Sequence, residues 1–179
     1  RSQNGYYTTF FWGNDGDFTW SSEGTYYGAH PYPVPRPDGA THKWTIAVAF
    51  RDVESAEDVV WDVWYTQALR VWSDASGKHH EFYWDLPDTS RVIRHTEPAS
   101  YGNVNPPRPA LTFGDAPWNP SEEVLSGVLR GIQIYSDDLS VTDILAEAAN
   151  PTSTAAGAAN IWYLNLNPTP TDISDKSGQ

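Results

Sequence analysis

His79, His80 and Glu81, with Asp85 and His95 close behind, form the one stretch of this chain where histidines and carboxylates crowd together. Imidazoles and carboxylates can trade protons or hold a metal, so what matters is which of them face one another. Residues 78–86 read as a β-strand, and a strand sends neighbours to opposite faces. His79 and His80 then cannot share one metal. His80, Phe82 and Trp84 fall on one face; Glu81, Tyr83 and Asp85 fall on the other. Glu81 and Asp85 stand about 13 Å apart by strand rise, too far for the carboxylate pair of a retaining glycosidase. A pair would need an acid from another strand, such as Asp62 or Glu97. Tyr83, Arg91, Arg94 and His95 suit a different reaction, in which a tyrosine or histidine moves the proton and an arginine neutralises a uronate. Arg91, Ile93 and His95 would share a strand face. Side chains of these types are common on strands that do no chemistry, and no catalytic residue is assigned.

Binding residues are better represented than catalytic ones. The chain has 9 Trp and 10 Tyr among 179 residues. More than half of these rings are expected in the core. The rest suit a sugar, because the CH-rich face of a pyranose packs on an indole while nearby polar groups meet its hydroxyls. Trp12, Trp20, Tyr26, Tyr27 and Trp118 are the candidates, with Asp115 and Asn119 beside Trp118 as hydroxyl partners. Trp20 and Trp118 sit in or beside polar loops, where an indole has less reason to be core. Prolines at 117 and 120 would stiffen the second of these loops.

The composition excludes other partners. The formal charge is −12 with only 11 Lys and Arg, and no basic cluster occurs, so nucleic acid is not an expected partner. Anionic membranes are disfavoured for the same reason, and no apolar run approaches the ~20 residues that span a bilayer. Cysteine is absent, which rules out disulfides and thiolate metal sites. A start at Arg1, without a leader, fits a mature or excised chain.

The elements that must carry these residues are strands. An aromatic run at 6–12 is followed by a turn containing Asp15-Gly16. Pro31, Pro33, Pro35 and Pro37 predict an extended, polyproline-like crossover. Residues 43–51 are a near-continuous apolar strand, and residues 59–73 alternate as another. Strands follow at 78–86 and 91–96, then a Pro- and Asn-rich loop over 97–109. Leu111 and Phe113 alternate with Thr112, and Ile132 and Ile134 with Gln133 and Tyr135. Ser140 can cap a short helix with Asp143 in its first turn and Ile144, Leu145 and Ala148 on one side. A last strand covers 161–166. About nine to eleven strands and one helix make a single domain over residues 1–179.

The closing order resembles laminin-G-like domains of the concanavalin A-like superfamily. It runs from Ala110-Leu-Thr-Phe-Gly, through Val124-Leu-Ser-Gly-Val-Leu-Arg-Gly-Ile-Gln-Ile-Tyr135, into a capped helix. Trp44 to Phe50 matches a central strand of that family. Residues 162–178 resemble the family's opening segment displaced to the end, as in a circular permutation. The resemblance implies an all-β fold: an antiparallel jelly-roll sandwich with one short C-terminal helix. It implies a lectin-like, non-catalytic carbohydrate-binding domain, extracellular or secreted, whose partner is a polysaccharide or other glycan. Calcium is the one cofactor the family suggests. Asn14, Asp15 and Asp17 form an incomplete acidic loop for it, and Arg130 and Gly131 replace the acid often found before the closing helix. A polysaccharide lyase, ahead of a hydrolase, and a protein-binding adhesion module are the alternatives on the same fold.

Overall fold

In chain order the elements are β1 (Phe10–Asn14), β2 (Tyr27–Arg36), β3 (Gly39–Val48), β4 (Arg51–Asp58), β5 (Ala68–Asp74), β6 (Gly77–Tyr83), β7 (Val92–Glu97), β8 (Pro109–Phe113), β9 (Ile132–Tyr135), α1 (Val141–Ala149) and β10 (Asn160–Leu164). They come from a computed structural model, which describes residues 10–14, 27–36, 39–48, 51–97, 109–113, 128, 131–149 and 160–164. Side chains are described for 43–46, 53–96, 128 and 131–149. Antiparallel strands with one short helix make the all-β class expected from the sequence.

The strands form a five-stranded sheet ordered β4-β3-β2-β1-β8, a three-stranded sheet ordered β5-β6-β7, and the pair β10-β9. The two larger sheets meet over one apolar cluster. Trp44 and Ile46 of β3 and Val53 of β4 pack with Phe82 and Ile93 of β6 and β7, Leu69 of β5, and Trp84. The period of two explains the burial. His80, Phe82 and Trp84 all point inward and are buried, as their shared face predicts. Trp44 meets Phe82 edge to face, with ring centroids 6.3 Å apart.

The outward face of the three-stranded sheet is covered at one end by α1. Ile144 is buried against Tyr83 and Leu86, with Val141, Leu145 and Ala148 packed around them. The Asp143 amide donates to Ser140 Oγ at 3.2 Å, so the cap read from the sequence is formed. Gly131 has φ 71°, a left-handed conformation that fits glycine and sets the entry to β9. Tyr135 donates to Gln133, as two residues of one strand face can.

Two expectations are corrected. Residues 31–36 belong to β2, which pairs with β3 along its whole length rather than forming a polyproline-like crossover. Prolines at every second position remove donors from one edge only, and β1 pairs with β2 no further than Ala29. Residues 51–58, a charged stretch between the strands read at 43–51 and 59–73, form β4 against β3. Residues 59–67 are not a strand but a turn-containing loop between β4 and β5. The last strand pairs with β9 inside the fold, as its apolar alternation predicts.

Candidate functional site

The residues singled out for sugar contact lie mostly outside the described part of the chain. Trp20, Tyr26, Asp115, Trp118 and Asn119 are not among the described residues, nor are Asp15 and Asp17. Trp12 and Tyr27 are, as backbone: they are direct partners across β1 and β2. Among the described residues no three His, Asp or Glu side chains converge to hold a metal ion.

Of the residues singled out for chemistry, Glu97 is described as backbone only, and those on the β5-β6-β7 sheet with described side chains divide between its two faces. His80 and His95 lie on the inner face, with ring centroids 6.2 Å apart. Glu81 and Tyr83 lie on the outer face with Arg94. There Glu81 is the centre of a saturated network. Its Oε2 accepts from Tyr83 Oη at 2.8 Å and from Arg70 Nη1 at 3.0 Å, and its Oε1 from Arg94 Nε at 2.9 Å. Burial alone would raise the Glu81 carboxyl, but these hydrogen bonds outweigh it and hold the group below its ordinary range. Burial, and then the bond to Glu81, push the Tyr83 hydroxyl above its usual value, so it stays a donor and is a poor proton acceptor. Arg70 also grips Asp138 with two bonds, Nε to Oδ1 at 2.6 Å and Nη2 to Oδ2 at 2.8 Å. That fork ties the sheet to the segment leading into α1. Arg91 is engaged elsewhere, with Asp85, Glu57 and Asp88 and over the face of Trp84. Tyr83, Arg94, His95 and Arg91 therefore do not converge on one point.

Beside this network, Trp72 of β5 stacks on His79 of β6, centroids 4.9 Å apart, and carries the Arg70 guanidinium at 4.4 Å. Neither sheet face thus presents a clear indole.

The loop between β4 and β5 does. Val60-Trp-Asp-Val-Trp64 leaves Val60 59% exposed, Trp61 47%, Val63 52% and Trp64 65%. Asp62 takes φ 62°, a left-handed conformation that aspartate tolerates better than most residues and that turns the chain sharply. Tyr65 fastens the loop. Its hydroxyl donates to the Val60 carbonyl at 3.0 Å and accepts from the Val60 amide at 2.9 Å. Its ring meets Trp44 edge-on at 5.1 Å and lies 6.3 Å from Trp84, so the clasp is rooted in the core. Val59 packs on the same cluster. Two large rings are therefore displayed on a loop closed at its base, rather than carried on the strand read over 59–73. The sequence signal goes only this far: Trp61 and Trp64 fall in opposite alternating sets of residues 59–66, so a strand there would turn the two indoles to opposite faces.

No family model, curated protein or solved structure matches the chain.

Proposed function

We propose that the chain is a non-catalytic carbohydrate-binding domain on a concanavalin A-like jelly-roll sandwich, acting outside the cell on a polysaccharide or other glycan. The observation that carries this reading is the clasped loop at 60–65 with Trp61 and Trp64 in solvent. An indole costs free energy when left in water, and a protein that pins one there gains from a ligand that covers it. A pyranose fits, because its apolar face takes the ring while its hydroxyls stay wet. Fixing the loop beforehand lowers the entropic cost of presenting the rings. The engaged state of Glu81 and Tyr83 supports binding over chemistry.

A glycan array probed with the wild-type chain and with Trp64→Ala tests the reading. The expected result is binding that Trp64→Ala reduces at least tenfold at unchanged thermal stability. No binding to any glycan, or early melting of Trp64→Ala, refutes it. A protein-binding adhesion module is the second reading. Val60 and Val63, exposed next to the indoles, favour it, since aliphatic side chains suit a protein partner better than a sugar.

A further inference from the structure

Resting on the sugar-binding reading of the loop, we infer that its ligand class is a glycan bearing protonated amino groups. Asp62 lies at the turn, between Trp61 and Val63-Trp64 in the chain, and is exposed. Among the described residues no hydrogen bond or ion pair engages it. Among the described residues, Lys43 and Arg91 of the loop's supports are engaged by other groups. Lys43 donates to the Ala56 carbonyl at 2.6 Å and pairs with Asp58 at 3.5 Å. Arg91 pairs with Glu57 at 3.1 Å and with Asp85 and Asp88. The strands and turns that hold the loop thus present more carboxylates than cations, on a chain whose formal charge is −12. A uronate or sulfated sugar meets repulsion there. An ammonium group meets the Asp62 carboxylate and, two residues on, the exposed indole of Trp64, and a carboxylate and an indole both attract it.

The conformation of Asp62 makes the charge separable from the fold. Asparagine adopts a left-handed conformation as readily as aspartate does, so Asp62→Asn keeps the turn and removes only the charge. Alanine would disturb both.

The test is calorimetric titration with three β-linked oligosaccharides of equal length, at pH 5.5 and low salt. One is built of glucosamine, one of N-acetylglucosamine and one of glucuronic acid. The glucosamine oligomer is expected to bind about five- to tenfold more tightly than the N-acetylated one, from an exposed ion pair and a cation–π contact together. The glucuronate oligomer is expected not to bind. In Asp62→Asn the glucosamine preference should vanish while the affinity for the N-acetylated oligomer is kept, and 0.5 M salt should erase it in the wild type. Equal affinity for the first two oligomers, a preference that survives Asp62→Asn, or tight glucuronate binding overturns the inference. In each of those cases loss of binding in Trp64→Ala would leave the platform itself standing. Absence of binding to all three overturns both.

Discussion

Tyr65→Phe removes one oxygen atom and leaves the ring that packs against Trp44 and Trp84. What is lost is the pair of hydrogen bonds to the Val60 amide and carbonyl. Each such bond contributes about 0.5–1.5 kcal/mol net. Val60 is exposed, so water can replace the hydroxyl and no burial penalty is added. The summed loss is therefore about 1–2 kcal/mol, nearer the low end of two full bonds. It should fall on local opening of the loop more than on the core, because the apolar contacts stay. Since 1.4 kcal/mol is a factor of ten, the Val60 amide should exchange with solvent deuterium about 5- to 30-fold faster. Amides of β6 should exchange at nearly wild-type rates after correction for any change in global stability. Amide exchange followed by NMR reads both at once. Unchanged protection at Val60 would refute the clasp, and equal acceleration throughout β6 would mean that Tyr65 supports the core instead.

Two more outcomes follow from the sheet and its helix. Glu81 is held below its unfolded value, so it binds fewer protons folded than unfolded; its contribution is present above the ordinary carboxylate range, about pH 4.3, and is lost as pH falls through the folded value. Glu81→Gln should flatten that acid limb in urea midpoints measured from pH 2.5 to 7, and an unchanged slope would remove Glu81 from the account. Ile144→Ala should cost about 2–5 kcal/mol in denaturant unfolding, since Ile144 is the buried anchor of α1 against Tyr83 and Leu86; a loss below 1 kcal/mol would mean that the helix is not docked through this residue.

The parts of the fold that could be read beforehand are those where local pattern and tertiary contact agree. The two faces of β6 follow from alternation alone, and so does the separation of His80 from His79. The cap at Ser140 and the apolar side of α1 follow from spacing that no neighbour overrides. The loop at 59–67 escaped because its composition is that of a strand. Only the placement of Tyr65 against Trp44, from a distant strand, decides that the chain turns there. Charged β4 escaped for the opposite reason: its partner β3 supplies the ladder that its own side chains do not advertise. In the same way Asp138 could not be matched to Arg70 from sequence, because 68 residues separate the two. The candidate site was therefore the least legible part, since it depends on which aromatic rings the core leaves over.

The connectivity of β5, β6 and β7 also bears on how the chain finds its fold. Asp74 and Gly77 are partners, so Ala75 and Ser76 alone turn the first hairpin, and no pair in this meander is more distant along the chain than Lys78 and Glu97. β1, in contrast, must find β8 across most of the chain, Phe10 opposite Phe113. Hairpins close in about 1–10 μs, whereas pairing across a long loop waits on a larger entropic cost. The meander is thus the part of the molecule that can assemble from its own neighbours. It would give Trp44, Ile46 and Val53 of β3 and β4 a surface to condense on, before β1 and β8 have met.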